Sequence, residues 1–351
     1  MATSVVGIDI GRSSVRGVEV GSPGKAKPMV LRYFEVPLPQ GAVSSGEVLE
    51  PNTVAAALRH LWSAGGFKSR NVVLGMGNQR VLARDLTVPK MSLERIRQSL
   101  PFEVQDMLPV PVAEAVLDFY PITETVGEHG PMVRGLLLAA VKKAVLANVK
   151  ATQLAGLTAI DVDLIPFALS RVLLSRPGVA GTVALIDIGG STTSVVIATD
   201  GVPQFVRIIA TGGDDITQAL RETLGNEDED EDPEAVKRRL GLATGSVAAA
   251  DKTAVEIVYK VASEQLSSLR NTINYFVNTR PTDAVSGIVL SGGGAQLNGL
   301  SSALADLTRL SVAVGDPFSS VALARNVDPE DIRRHSVALT VALGLALGCA
   351  A

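Results

Sequence analysis

Cysteine is almost missing from this chain of 351 residues, in which Cys349 is the single copy. One cysteine cannot form an intrachain disulfide, so we expect a fold held by its core in the reducing environment of the cytoplasm. Histidine is nearly as scarce. His60, His129 and His335 lie in unrelated contexts, without cysteines or acidic residues at ligand spacing. We therefore predict structural or solvated histidines rather than a zinc site.

An excess of positive charge is also missing. Lysine and arginine total 32 against 36 aspartates and glutamates, giving a net charge of −4, and aromatic residues make up only 4% of the chain. With no basic stretch interleaved with aromatic residues, we expect no nucleic-acid partner. The acidic run that follows Asn226 is typical of a solvated loop.

No hydrophobic run is long enough to span a membrane. Asp9 interrupts the N-terminal apolar stretch, so we expect no signal peptide. Residues 336–351 are uncharged but fall short of the ~20 residues that a membrane helix needs, and they predict a buried helix instead. Hydrophobic residues make up 46% of the chain and the mean hydropathy is +0.29. At this length, such a composition predicts two domains, each with its own core.

Three familiar site motifs are absent as well. The chain has no G-x-x-x-x-G-K-[ST] sequence of a P-loop and no G-x-S-x-G nucleophile elbow. The glycines at 75 and 77 lack the third glycine of a dinucleotide fingerprint. P-loop NTPases, serine hydrolases of that type and Rossmann dehydrogenases are therefore not expected.

One short pattern, by contrast, occurs twice. Residues 8–14 read Ile-Asp-Ile-Gly-Arg-Ser-Ser and residues 186–192 read Ile-Asp-Ile-Gly-Gly-Ser-Thr, with a constant offset of 178 (187 − 9). Each copy follows a short apolar strand and leads into a second apolar stretch. A strand, a small polar turn and a strand predict a β-hairpin. Two such hairpins facing each other could hold a polyphosphate from both sides.

The residue types in these turns suit phosphate. Glycine lets the backbone approach a ligand without a Cβ in the way, and successive backbone N–H groups and hydroxyls donate hydrogen bonds. Asp9 and Asp187 would repel phosphate directly, but each could hold a magnesium ion that bridges to phosphate oxygens. The alternative is a tight hairpin whose aspartate only satisfies its own backbone. The repetition favours the phosphate interpretation.

The segments between and after the two turns complete an ordered pattern. A helix at 53–64, capped by Asn52, and buried strands at 72–74 and 81–86 follow the first turn. Residues 88–154 then predict a small inserted subdomain with a helix capped by Ser92, two strands and a second helix. The alternative is that they continue the first domain. A connecting helix begins at Pro166, a long helix covers 250–276, and a strand at 287–290 enters a run of three glycines.

This order of elements resembles the actin-like ATPase superfamily, which includes actin, DnaK-type chaperones, sugar kinases and FtsA. The resemblance implies an α/β fold of two RNase H-like domains with a nucleotide cleft between them, plus an inserted α+β subdomain. The implied division is 1–87 and 155–180 for the first domain, 88–154 for the insert, 181–335 for the second domain, and 336–351 for a helix that packs back on the first domain.

The resemblance also implies ATP and Mg²⁺ as cofactors and assigns residues to them. Asp9 and Asp187 would be the catalytic, magnesium-side carboxylates. The remaining cofactor-binding residues fall in the two phosphate loops, the adenosine loop and the helix beside the base and ribose: Gly11, Arg12, Ser13, Ser14, Gly189, Gly190, Ser191, Thr192, Thr193, Gly212, Gly213, Glu234, Lys237, Gly292, Gly293 and Gly294.

Within the superfamily, the insert is similar to the extra subdomain of FtsA and of the PilM family of type IV pilus assembly proteins. Val88-Pro89-Lys90-Met91 and the Gly213-Asp214-Asp215 stretch look like PilM. That resemblance implies a cytoplasmic protein at the inner face of the membrane, attached through partners. The main implied partner is the cytoplasmic peptide of a PilN-like subunit, and pilus motor ATPases and self-association are further ones. An FtsA-like filament protein and, less well supported, a sugar or metabolite kinase stay open as alternatives.

Two further observations bear on activity and partner. Ile165 occupies the position before the connecting-helix proline where chaperones of this superfamily carry an acidic residue, which predicts slow ATP hydrolysis or binding alone. Residues 91–109 combine a helix, two prolines and an apolar set: Leu93, Ile96, Leu100, Phe102, Val104, Met107 and Leu108. Such a segment either packs internally or lines a groove for an extended peptide. The apolar insert argues against a sugar-binding kinase.

Overall fold

The computed structural model describes residues 4–128, 130–175, 178–224, 232–242 and 248–348. The expectations for His129, for Cys349 and for residues 226–231 of the acidic run lie outside these ranges. Within them, no helix combines the length and the apolar character needed to cross a membrane.

A six-stranded sheet carries the first copy of the repeated pattern. Its strand order is 10-6-1-2-3-16 in chain numbering, and the first hairpin lies at its centre. The strands are β1 (Ser4–Ile10), β2 (Ser14–Gly21), β3 (Met29–Pro37), β6 (Asn71–Met76), β10 (Thr158–Leu164) and β16 (Ala322–Leu323). Beside this sheet, β4 (Val43–Ser44) and β5 (Glu47–Val48) form a small separate hairpin.

Helices cover both faces of this sheet because its central strands are apolar on both sides. One face packs on α1 (Pro51–Gly65) and the other on α10 (Ser336–Gly348) and α4 (Ile165–Ser170). Gly7 of β1 is required at the second face. A Cβ there would lie 1.9 Å from the carbonyl oxygen of Ala342, so α10 can approach the strand only over a glycine.

A five-stranded sheet carries the second copy in the order 13-12-11-14-15. Its strands are β11 (Thr182–Ile188), β12 (Thr193–Thr199), β13 (Val202–Ile209), β14 (Val285–Ser291) and β15 (Ser311–Val314). The order is that of β3-β2-β1-β6-β10, with the same antiparallel hairpin and the same parallel neighbour. The repeat read from the sequence is therefore a repeat of whole sheets.

Helices pack on the outer face of this second sheet, and a shared core lies on its inner face. The outer helices are α5 (Gly213–Leu224), α6 (Pro233–Leu240), α7 (Lys252–Thr279) and α8 (Leu300–Thr308). On the inner face, Leu185 and Val196 join a core that also contains Phe167 of α4 and Leu343 of α10. A single apolar core thus connects the two sheets through the connecting helix. Helix α9 (Pro329–Arg334) precedes α10.

A three-stranded antiparallel sheet forms the insert, in the order 7-9-8. Its elements are β7 (Leu82–Pro89), α2 (Leu93–Glu103), β8 (Ala115–Gly127) and β9 (Gly130–Val141), followed by α3 (Lys142–Leu154). The strand expected at 81–86 is wrong in burial: none of these residues is buried, and the strand, β7, pairs with β9, from Leu82 opposite Ala139. This sheet therefore begins six residues before position 88 (88 − 82), while α3 packs against α1.

Two predicted helix caps have different outcomes. The Ser92 cap is confirmed, since its hydroxyl accepts a hydrogen bond from the backbone N–H of Arg95 at 3.4 Å. The Asn52 cap is wrong: α1 begins at Pro51, with Glu50 at the cap position. Proline has a fixed φ that suits the first helical turn and lacks an N–H that would be unpaired there, so the helix begins two residues earlier than predicted.

Candidate functional site

The two repeated patterns form the same turn. In the first, the N–H of Gly11 donates to the carbonyl of Ser14 at 2.9 Å; in the second, the N–H of Gly189 donates to the carbonyl of Thr192, also at 2.9 Å. Strand register is preserved as well, with Asp9 and Asp187 at corresponding positions of β1 and β11. Both backbones are therefore shaped alike at the edge of the cleft.

Two buried carboxylates follow from this placement. Asp9 is 8% exposed and Asp187 is 9% exposed. Burial raises the pKa of Asp187 to about 6. A hydrogen bond from Ser291 opposes the shift, and the negative charge of Asp9 adds to it. Burial likewise raises the pKa of Asp9, although Arg16 opposes the shift through an ion pair of 3.2 Å. Keeping either buried carboxylate ionised is therefore energetically unfavourable unless a cation lies beside it.

A cavity of about 760 Å³ opens between the two halves, which is within the usual size range of ligand pockets. The first half contributes Arg12 and Ser13 of the first turn. The second half contributes most of the predicted binding residues to the wall: Gly189, Gly190, Gly213, Glu234, Lys237, Gly293 and Gly294.

Glycine is required where these loops meet. Gly292 has φ of 88°, and a Cβ on it would lie 2.3 Å from the carbonyl oxygen of Ile188. A Cβ on Gly212 would lie 2.2 Å from the carbonyl oxygen of Gly190. The N–H of Gly213 donates to the carbonyl of Gly189 at 2.9 Å. The second phosphate turn, the start of α5 and the third glycine run therefore pack backbone against backbone and leave main-chain atoms at the cavity wall.

A polar cluster lines the cavity beside Gly213. Lys237 is 9% exposed, and its Nζ lies 2.6 Å from Glu234 Oε2, donates to Thr217 Oγ1 at 2.9 Å and to the carbonyl of Gly213 at 3.1 Å. Burial raises the pKa of Glu234, but hydrogen bonds from Lys237, Thr217 and Arg238 outweigh it and leave this pKa below its ordinary value. Glu234 is thus held as a carboxylate, ready to accept hydrogen bonds.

Some predicted residues do not line the cavity: Gly11, Ser14, Ser191, Thr192, Thr193, Gly212 and Gly292, together with the two aspartates. Thr193 is fully buried and its hydroxyl donates to the carbonyl of Thr211 at 2.7 Å. Ser14 is buried, and its Oγ has no hydrogen-bond partner among the described residues.

Sequence reasoning missed other residues of the wall. Asp214 lies inside the quoted Gly213-Asp214-Asp215 stretch and could have been chosen as a charged residue beside a glycine turn. Gln265 could not: it lies midway along α7, where its amide donates to Thr193 Oγ1 at 3.3 Å. No local signal distinguishes it from other polar residues of that helix.

The side chain of Ile165 does not line the cavity. Its side chain packs against Gly75 and Gly77 at the end of β6, where a Cβ on Gly77 would lie 2.7 Å from Ile165 Cδ1. Nearby, Asp163 is paired with Arg171 at 2.9 Å. Burial raises the pKa of Asp163, and Arg171 opposes that shift. Neither side chain lines the cavity.

Paired RNase H-like sheets, a shared connecting helix and a cleft between matching turns define the actin-like ATPase fold. MreB5 of Spiroplasma citri bound to AMPPNP has this fold, with a TM-score of 0.53 at 12% identity over 98% of this chain and 95% of that one. Cell division protein FtsA of Bacillus subtilis is 24% identical over 361 residues, covering 89% of this chain and 78% of FtsA. The predicted actin-like ATPase fold is confirmed.

Within that superfamily, the chain belongs to the family of type IV pilus assembly protein PilM, whose model matches residues 7–349. A solved PilM-PilN type IV pilus biogenesis complex is similar over the full length of both chains, with a TM-score of 0.86 and 29% identity. The PilM resemblance read from the sequence is confirmed.

Proposed function

We propose that this protein binds Mg-ATP in the cleft between its two halves and docks a cytoplasmic peptide of a PilN-like membrane subunit, as a pilus assembly component. The observation that carries the nucleotide part is the pair of matching turns at one cavity of about 760 Å³. Membership of the PilM family favours a pilus role over the FtsA-like and kinase alternatives.

The residues present fit both cofactors. Backbone N–H groups of the glycine turns, together with Arg12 and Ser13, would hold the phosphates, and the Glu234–Lys237 cluster would border the nucleoside. Asp9 and Asp187 would hold the ion. No group of three or more His, Cys, Asp or Glu that could bind a metal occurs in the described part of the chain. Mg²⁺ often binds through one or two carboxylates plus phosphate and water. When bound, it supplies positive charge that neutralises phosphate.

Hydrolysis is proposed to be slow. With Ile165 packed away from the cavity and Asp163 paired with Arg171, neither is available as a proton acceptor at the phosphate end. We would therefore expect the identity of the bound nucleotide, rather than its hydrolysis, to control what the protein does.

The test of nucleotide binding is calorimetry of Mg-ATP with the wild type, Asp9→Ala and Asp187→Ala. We expect the two variants to lose most of the magnesium dependence of binding. The control is Asp306→Asn, which changes an exposed carboxyl on α8. Wild-type affinity in both alanine variants, with the magnesium dependence intact, would contradict the assignment.

The partner surface that we favour is a groove of about 470 Å³ along the insert. Met91, Leu93 and Ile96 line one side, and residues 121–124 of β8 line the other. Phe102 nearby is 86% exposed, so the apolar side chains of 91–109 do not all pack internally. β8 is an edge strand of its sheet, so its main chain can accept an added strand while the apolar side chains hold alternate residues.

The test is binding of a synthetic peptide of the PilN-like subunit's cytoplasmic tail. Deleting residues 88–154 would remove α2, β8, β9 and α3 together with the end of β7, so a point variant is sharper. Ile122→Asp places a charge in the groove. Val126→Asp changes the same strand at an exposed position outside the groove. We expect only the first variant to lose binding. Equal losses, or none, would place the partner elsewhere.

Such an arrangement would hold the protein at the cytoplasmic face of the membrane through its partner. Fractionation of cells with and without the PilN-like subunit tests this: the protein should shift to the soluble fraction when the subunit is deleted.

A further inference from the structure

An ion pair crosses the cleft at the phosphate turns. Arg12 lies at the tip of the first hairpin, and its Nη1 is 2.7 Å from Oδ2 of Asp214, which lies in the first turn of α5. The two residues come from opposite halves and both line the cavity. Their side chains are 50% and 35% exposed, so the pair is accessible from solvent.

The carboxylate of Asp214 is held against the second phosphate turn. The N–H of Asp214 donates to the carbonyl of Gly190 at 2.8 Å, and a Cβ on Gly190 would lie 2.9 Å from Asp214 Oδ2. A negative group therefore already contacts the two features that a phosphate would use: a glycine turn and an arginine of the opposite wall. A phosphate entering the same place would be repelled by Asp214 and would compete with it for Arg12.

We propose that Asp214 is an internal competitor for the phosphate end of the cavity, and that Arg12 exchanges it for phosphate oxygens when a nucleoside polyphosphate binds. This inference rests on the nucleotide binding proposed above. Arg12 then favours the binding of polyphosphates over monophosphates. Asp214 lowers the affinity for polyphosphates, because a polyphosphate must displace it from Arg12. The ion pair that joins the two halves directly is then replaced by contacts of both halves with the ligand.

The experiment is calorimetry at fixed salt with three probes: Mg-ATP, Mg-ADP and AMP. Asp214→Asn keeps the shape of the side chain and removes its charge. We expect it to bind Mg-ATP and Mg-ADP about fivefold more tightly, the upper range for a partly exposed charge pair. AMP affinity should not change. Arg12→Gln should bind both polyphosphates at least about tenfold more weakly, because it loses a charged hydrogen-bond donor.

The control is Asp251→Asn, which removes the carboxylate of another partly exposed ion pair, with Arg239 at 3.0 Å, outside the cavity wall. Its affinities should match the wild type. Thermal unfolding of each variant shows that it is folded.

The outcomes separate the two proposals. Wild type that binds no Mg-ATP overturns both. Wild type that binds Mg-ATP, with Asp214→Asn unchanged or weaker, overturns only the competitor role, and a weaker variant points to Asp214 as a ligand of the bound ion. An equal change for AMP and Mg-ATP also overturns it, because the pair would then act by closing the halves rather than by competing with phosphate.

Discussion

Replacing Asp187 by asparagine should stabilise the protein when neither nucleotide nor magnesium is present. Burial raises the pKa of this carboxyl from 3.8 to about 6. Keeping it ionised at neutral pH therefore costs the folded state up to about 3 kcal/mol, from a pKa shift of 6 − 3.8 at 1.36 kcal/mol per pKa unit. Asparagine carries no charge and can still accept the hydrogen bond from Ser291. Most of that cost should disappear in the variant.

The sign of the pH dependence follows from proton binding. Between pH 3.8 and about 6, the folded wild type binds more protons at this site than the unfolded chain does, so this contribution to stability falls as pH rises. The advantage of Asp187→Asn should therefore be absent at about pH 3.8, grow through this window, and be complete above about pH 6.

Urea unfolding in buffer with a chelator, from pH 4.5 to 7.5, measures this difference. Asp306→Asn, at an exposed carboxyl on α8, should change stability by no more than about 0.5 kcal/mol at each pH. The reasoning is refuted if Asp187→Asn is less stable than the wild type at pH 7, or if its advantage does not change with pH. The same variant should lose magnesium-dependent nucleotide binding, so stability and function would move in opposite directions.

Three further outcomes are expected. Gly7→Ala should unfold at a much lower urea concentration than the wild type, because its Cβ would lie 1.9 Å from the Ala342 carbonyl oxygen. The control is Gly293→Ala, which should fold normally because a Cβ on Gly293 meets no atom within 4 Å. Phosphate release by the purified wild type should be about 10⁻³ to 10⁻¹ s⁻¹, which is a typical rate of about 10 s⁻¹ reduced by the usual contribution of a general base; turnover of several per second would contradict it. Ile122→Asp should abolish peptide binding without changing Mg-ATP affinity at low peptide concentration, as two separate calorimetric titrations can show.

The sequence predicted the fold well because the fold is duplicated. Two copies of one turn, 178 residues apart, implied two similar sheets, and their strand orders agree. The strand at 81–86 was misjudged because its partner is β9, about fifty residues later, and no local pattern shows which sheet a short strand will join. The cap of α1 was misplaced because Pro51 and Asn52 are adjacent start signals, and proline prevailed.

The candidate site was less accessible to prediction. The turns and glycines could be identified because backbone geometry at a close contact depends on residue type. The Arg12–Asp214 pair joins residues 202 positions apart, and Gln265 reaches the cavity from the middle of a helix. Such contacts depend on how two halves are placed against each other. The relative placement of the two halves leaves no local pattern in a single sequence.

The placement of the core limits how this cleft can open. The apolar core that joins the two sheets lies around α4, and the chain passes from α4 directly into a π-helical turn at Arg171–Ser175. Separating the halves at that end would expose a packed core. At the cleft, the Arg12–Asp214 ion pair between the halves is partly exposed, and breaking it costs little. We therefore expect the halves to rotate about the connecting helix, with the largest displacement at the phosphate turns. Tyr120 of the insert packs against Phe167 of α4 with ring centroids 4.8 Å apart. Since Tyr120 lies beside this axis, a rotation about α4 should displace β8, which lines the proposed peptide groove, less than it displaces the phosphate turns.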